Sequence, residues 1–309
     1  MTISKKLTVK SSGKINLYLN VSKNLRTDGY HEIKSIMQSI SLSDELSFEV
    51  FHDYALGHLN SVNGNGISIA CNNIDIPLNE KNLVHKAAQL ILKNLGFEKK
   101  YSVNINIKKS IPVGAGLAGG STNAAATLIA LNKIFSLKLT GEKLIELGDQ
   151  VGSDVPFCIS GGTALVEGKG EKISKLPDLP FYWVVLAING KKFSSGDVYD
   201  KFDLIGKEKN SVHKSLVDNL IKKNYGEFFL GLENDLERVV IVEDKMVTIL
   251  KNKAREFGAF ASQMTGSGPA VFAFCSDLKI AREVYAGLGE ISNNIFLTYT
   301  TPNSQNFIN

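Results

Sequence analysis

The chain has 309 residues, 43% apolar and 21% charged, the balance of a soluble globular protein large enough for one big or two ordinary domains. Its net charge of +4 is spread without a basic block, which argues against nucleic acid as a partner and suits phosphate-bearing ligands. Cys71, Cys158 and Cys275 are odd in number, far apart and without metal spacing, so neither a disulfide framework nor a metal cage is expected, and a reducing cytoplasm is.

In chain order, MTISKKLTVKSS has no apolar core of a signal peptide, and no later stretch reaches membrane-span length, so no membrane partner is expected. Ile15, Leu17, Leu19 and Val21 alternate as one strand, and residues 46–51 read as another. Residues 53–79, rich in Asn, Gly and Asp, read as turns around short strands such as 66–70. Val84, Ala87, Ala88, Ile91, Leu92 and Leu95 recur at helical spacing, with Gly96 as a stop. In residues 101–109, Val103, Ile105 and Ile107 alternate with Asn104, Asn106 and Lys108, a strand wet on one face. A glycine loop and an alanine-rich helix follow, and a further helix starts at Thr140 and ends near Gly148–Gly152. The composition shift at Ser160–Thr163 predicts a boundary between domains 1–162 and 163–309. Beyond it come a buried strand at 183–188, helices near 211–224 and 243–257, a hairpin of 259–264 with 270–274, a helix near 277–288 and a strand near 295–299. That order of β, helices, β, β, α, β fits a split βαβ sandwich. His52, His58, His85 and His213 lack ligand spacing and read as surface or core.

The segment IPVGAGLAGGSTNAAAT, residues 111–127, carries the most chemistry. Its glycines can turn successive N–H groups toward one point, and Ser121, Thr122 and Asn123 offer capping oxygens at the start of a helix. A glycine loop feeding a helix N-terminus is a phosphate site, because unpaired N–H groups and the positive dipole end face the ligand. Gly114-Ala-Gly116-Leu-Ala-Gly119 matches the dinucleotide fingerprint, but the preceding strand is half wet and no acidic residue follows at the required distance. No P-loop lysine follows Gly119 either.

The remaining pattern, Pro112, Gly116, Leu117, Gly120 and Ser121, resembles the central motif of the small-molecule kinases that include galactokinase, homoserine kinase, mevalonate kinase and phosphomevalonate kinase. Ser12-Gly-Lys-Ile-Asn-Leu-Tyr-Leu-Asn20 and Met264-Thr-Gly-Ser-Gly-Pro-Ala-Val-Phe272 are similar to that superfamily's first and last motifs, in order. More narrowly, Arg26-Thr-Asp-Gly-Tyr-His-Glu32, Asn82-Leu-Val, Gly152-Ser-Asp-Val-Pro-Phe157 and Asn234-Asp-Leu-Glu237 resemble the 4-diphosphocytidyl-2-C-methyl-D-erythritol kinase family of the non-mevalonate isoprenoid pathway.

The resemblance spans residues 13–274 and implies an α+β, two-domain small-molecule kinase fold. Its N-terminal ATP-binding domain would be like ribosomal protein S5, and its C-terminal substrate domain a ferredoxin-like split βαβ. It implies ATP as co-substrate with Mg²⁺, a cytidine diphospho-methylerythritol acceptor and direct in-line transfer to the 2-hydroxyl. A cytoplasmic monomer or weak dimer is expected. A kinase of the same fold for another small alcohol, of homoserine or mevalonate type, is the alternative.

Carried onto this sequence, the resemblance makes Asp154 the base; by residue type alone it could be an Asx-turn or cap aspartate. Lys14 shares a strand face with Asn16 and would stabilise the carboxylate and the transferring phosphoryl group, with Asn16 on a substrate hydroxyl. Tyr30 and His31 would hold cytosine, with Tyr199 a candidate for the second face of the sandwich and Phe193 its competitor. For ATP, the backbone of Gly114, Ala115, Gly116, Leu117, Ala118, Gly119, Gly120, Ser121 and Thr122 after Pro112 would hold phosphates, with Ser121 or Thr122 near Mg²⁺. Asn82, Leu83 and Lys109 would line the adenine pocket, and Gly266 in the Thr265–Gly268 turn would close over the substrate end. Ala115 and Ala118 stand where glycines are common, and the alanines are expected to keep negative φ.

Overall fold

The computed structural model describes residues 5–52, 66–97, 100–191, 193–205 and 211–308. His58 and the turns expected over 53–65 lie outside them. Two long strands, β1 (Lys5–Leu25) and β2 (His31–His52), pair antiparallel from Lys5↔Val50 to Leu25↔His31 around the Arg26–Tyr30 turn. Their register shifts between Ser12 and Lys14 and again between Asn16 and Tyr18. Such irregularities re-aim side chains, and these two bracket Lys14 and Asn16.

β4 (Tyr101–Lys108) pairs antiparallel with β2 and parallel with β3 (Ile67–Cys71). Val103, Ile105 and Ile107 are buried against α1 (Leu83–Asn94) and α2 (Gly119–Ile134), while Asn106 and Lys108 are exposed. The half-wet strand is therefore real, and its mixed sheet is unlike the all-parallel sheet of a dinucleotide fold. α3 (Gly141–Asp149) and α4 (Val155–Ser160) complete this layer.

The division expected at 162/163 falls between α4 and β5 (Thr163–Gly168). β5 pairs with β2 and with β6 (Lys172–Lys175), and β12 (Gln305–Ile308) returns to pair with β1. All three belong to the large sheet, so the glycine pair before Thr163 is a turn, with Gly161 at φ 65 and Gly162 at φ 71, rather than a linker. The second sheet opens only at β7 (Trp183–Ile188).

That sheet runs β11 (Asn294–Tyr299), β7, β10 (Val271–Cys275), β9 (Ala261–Met264), with every neighbour antiparallel. In chain order this is fourth, first, third, second, the split βαβ arrangement. α5 (Ser195–Ile205), α6 (His213–Ile221), α7 (Tyr225–Leu230), α8 (Glu237–Glu243) and α9 (Met246–Glu256) lie between its first two strands, and α10 (Leu278–Gly289) precedes β11. The helix expected at 243–257 is α9, and Asp244, at extended angles, ends α8 before it and accepts from Met246 N at 2.9 Å and Lys191 N at 2.7 Å. The short strand β8 (Glu233–Asn234) joins the halves, running parallel to β1 at Tyr18 and Leu19. Among the described residues no helix is long and apolar enough to cross a membrane.

Candidate active site

A cavity of about 750 Å³ is lined by residues of β1, β2, the glycine loop, α5 and the β9–β10 turn. Every candidate named from the sequence lines it except Asn82, Thr122 and Phe193. Lys14 lies at its floor, 4% exposed. Its ammonium donates to Asn16 Oδ1 at 2.7 Å and Gly116 O at 3.0 Å and stands 3.8 Å from Asp154 Oδ2. An ammonium has three N–H donors, so two are committed and the third faces the carboxylate.

Asp154 sits at the N-cap position of α4, yet its side chain makes no capping bond. Its backbone takes helical angles, φ -85 and ψ -11, unlike the extended angles of a capping residue, and Pro156 removes one of the N–H groups a cap would bind. The carboxylate is free to face Lys14 and the cavity, and the cap-aspartate reading fails.

The glycine loop is anchored at both ends. At its entry, Asp44 is fully buried and accepts from Ser110 N at 2.7 Å, Ile111 N at 2.8 Å and the Lys109 ammonium. Lys109 does line the cavity, but its charge is spent on Asp44. No motif pointed to Asp44. The available signal was parity: Asp44 continues the inward series Leu46, Phe48, Val50, just as Lys109 continues Val103, Ile105, Ile107. They meet side chain to side chain just past Glu45↔Lys108, the last pair of the β2–β4 register.

At the loop's centre, Gly114 (φ 70), Gly116 (φ 76) and Ala118 (φ 56) are all left-handed, so the expectation of negative φ fails at Ala118. Ala118 is itself the N-cap of α2 and makes no side-chain capping bond. Ser121, Thr122 and Asn123 lie inside the helix, not at its cap. Thr122 is fully buried, with its hydroxyl donating to Ser12 O at 2.7 Å, which leaves Ser121 as the hydroxyl on the cavity side. Gly116 is required outright: a Cβ there would meet Thr265 O at 2.3 Å.

That contact brings the β9–β10 turn onto the loop. Thr265 Oγ1 accepts from Asn16 N at 2.9 Å, and Asn234 Nδ2 holds the turn through Met264 O at 3.0 Å and Gly266 O at 2.8 Å. The Asn234–Glu237 motif thus stitches β1 to the hairpin, with Asp235 accepting from Asn20 Nδ2 and Val21 N.

At the far end, Tyr30 is 53% exposed, with the Lys169 ammonium 5.6 Å from its ring centre. His31 Nδ1–H donates to Ser22 O at 2.8 Å, and its ring stacks on Tyr199 at 5.3 Å and 25°. Burial, then the charge of Asp154, pushes the Tyr199 hydroxyl upward, so it stays a neutral phenol. Phe193 is buried in the second core and does not line the cavity, whereas Tyr199, packed against the same core, does. Asn82 caps α1 instead of lining the cavity: its Oδ1 accepts from Val84 N at 2.9 Å and its Nδ2 donates to Pro77 O at 2.7 Å. Leu83 does line it, joined by Ile76, which no motif or periodicity singles out.

The chain matches GHMP kinases N terminal domain over residues 82–162 and GHMP kinases C terminal over residues 216–293. A 4-diphosphocytidyl-2-C-methyl-D-erythritol kinase of Clostridium botulinum (strain Eklund 17B / Type B) is 38% identical over 296 residues, 95% of this chain and 100% of its own length. This chain belongs to the 4-diphosphocytidyl-2-C-methyl-D-erythritol kinase family. The Bacillus subtilis (strain 168) member is 37% identical, covering 93% of this chain and 94% of its own. A crystal structure of 4-(cytidine 5'-diphospho)-2C-methyl-D-erythritol kinase superposes with TM-score 0.74 at 26% identity, over 95% of this chain and 98% of that one. Homoserine kinase from Cytophaga hutchinsonii, at TM-score 0.75 and 16% identity over 100% and 99% of the two chains, shares the fold.

Proposed function

We propose that this cavity transfers the γ-phosphate of ATP to the 2-hydroxyl of 4-diphosphocytidyl-2-C-methyl-D-erythritol, giving the 2-phosphate and ADP. The observation that carries this reading is the buried Lys14 ammonium 3.8 Å from Asp154 Oδ2, directly under a glycine loop that opens a helix. Asp154 accepts the proton of the attacking hydroxyl, in line with the leaving ADP and without a phospho-enzyme. Lys14 stands beside that carboxylate and stabilises the charge that develops on the transferring phosphoryl group. Loop N–H groups at the start of α2 hold the ATP phosphates.

The Ser121 hydroxyl beside the loop is the side chain that would hold Mg²⁺, which would supply charge neutralisation to the phosphates. Leu83 and Ile76 offer apolar surface to adenine. Tyr30 and His31, with Tyr199 stacked behind His31, form the cytidine end. Lysine, glycine loop and aspartate would serve any acceptor alcohol; the aromatic end is what favours a cytidine compound over homoserine or mevalonate. Cytoplasmic location and a monomer or weak dimer belong to the same proposal.

Phosphorus NMR of the purified protein with Mg·ATP and the cytidine substrate tests it. Loss of the γ-phosphate signal with a new phosphomonoester peak is expected. Unchanged spectra, in a sample that binds ADP, would reject the acceptor.

A further inference from the structure

Three cavity elements come from distant parts of the chain: β1 with Lys14, α2 behind the glycine loop, and α4 headed by Asp154. They converge on one side chain that lies outside the cavity. We propose that Gln305, on the last strand, is a positioning residue that holds these three elements in register for phosphoryl transfer. The proposal rests on the reaction assigned above.

Gln305 is the Cα partner of Ser11 in the β1–β12 pairing. Its Nε2 lies 3.2 Å from Thr122 Oγ1, 3.3 Å from Thr122 O and 3.4 Å from Cys158 O, so its two hydrogens are shared among three acceptors. Thr122 follows Ser121 of the loop, and its N–H donates to Ala118 O at 2.9 Å. Cys158 lies one turn below Asp154, donating its N–H to Asp154 O at 3.1 Å. The Thr122 hydroxyl carries the link to β1: it donates to Ser12 O at 2.7 Å and accepts from Ser11 Oγ at 3.0 Å. With the Gln305 amide as a second donor, its one hydrogen and both lone pairs are used. Lys14 N then donates to Leu117 O at 3.1 Å, closing the circuit back to the loop. Each contact therefore lies within a turn of helix or three residues of strand from a group that faces the reaction.

The other end of the amide is informative. Gln305 Oε1 is buried without a hydrogen-bond partner among the described residues. An orphaned buried oxygen is costly, and an apolar side chain of the same size would avoid it. The two carbonyls of Thr122 and Cys158 would then lose their shared donor. Ser304 beside it is pinned as well, its carbonyl accepting from Ser12 N at 2.8 Å and its hydroxyl paired with Ser39 Oγ at 2.8 Å. The strand end is held, so the amide has little room to seek other partners.

The test compares Gln305→Leu, which fills the space without donating, with Gln305→Glu, whose carboxylate would face two carbonyl oxygens. Asn306→Ala is the control: it is exposed on the same strand and pairs with Lys10 by backbone. Two readouts are taken, kcat with the cytidine substrate and ADP affinity by calorimetry without any acceptor. In Gln305→Leu, kcat falls about tenfold, inside the roughly hundredfold loss a 1 Å misplacement can cause, while the acceptor KM stays within twofold. ADP affinity falls severalfold, Gln305→Glu is worse in both, and Asn306→Ala matches the parent protein. Gln305→Leu with kcat and ADP affinity within twofold of the parent, whatever its melting temperature, would overturn the proposal. If the parent protein does not turn over the cytidine substrate, the assigned reaction fails, and the ADP arm still decides the role of Gln305.

Discussion

Gly116→Ala is the sharpest single perturbation of this site. Gly116 has φ +76 and its added Cβ would meet Thr265 O at 2.3 Å, whereas Gly96 has φ +63 with nothing within 4 Å of a Cβ. Both alanines incur a left-handed backbone cost of about 1–2 kcal/mol. Only Gly116→Ala adds an overlap with backbone, which forces the glycine loop and the β9–β10 turn apart, at about 1–3 kcal/mol more. Unfolding entropy of roughly 2.1 cal/mol/K per residue over 309 residues converts each kcal/mol into about 1.5 °C of melting temperature. Gly96→Ala should therefore melt about 2–3 °C lower and Gly116→Ala about 3–8 °C lower. Activity separates them further. The Gly116 carbonyl accepts from Lys14 Nζ at 3.0 Å, so moving it moves the ammonium. A shift near 1 Å predicts a kcat loss on the order of a hundredfold in Gly116→Ala and none in Gly96→Ala. Calorimetry and a coupled ADP-release assay read both. Equal kcat values and melting temperatures in the two variants would refute the reasoning.

Three other outcomes follow from the same geometry. Asp154→Asn should lower kcat by about 10²–10⁴-fold while ADP binding, read by calorimetry, is unchanged. Tyr30→Ala should raise the KM for the cytidine substrate by roughly tenfold or more, from about 1–3 kcal/mol of lost base stacking, and leave the KM for ATP alone. Burial, aided by the charge of Lys34 and opposed by Glu167, holds His213 below its ordinary pKa of 6.5. Its unfolded form binds the proton first, so its contribution to stability is complete above pH 6.5 and drains away as pH falls below that. His213→Gln should flatten the decline in denaturant midpoint between about pH 7 and pH 5.

Periodicity and glycine placement carried much of this protein in one dimension. The alternation of Val103, Ile105 and Ile107 is local and so are the helical spacing after Leu83 and the hairpin signal around Gly266, because each element buries one face whatever its partner. Lys14, the glycine loop and Asp154 were legible because they sit in contiguous motifs. Other features needed the fold. Thr122 looked like a loop hydroxyl until β1 and β12 were seen to consume it. Asn82 looked like a pocket residue, and its local capping geometry won. The strand after the glycine pair before Thr163 pairs with β2, a partner that no local pattern names.

The sequence by itself determined which segments become strands and helices and which motif cradles an anion, since those follow from side-chain period and backbone freedom. Only the tertiary structure decided that Asp44 meets Lys109, that Thr265 closes on Gly116 and that the last strand reaches back to Thr122 and Cys158. Those contacts join residues far apart in the chain, and their partners are chosen by strand register and close packing, which no local pattern encodes.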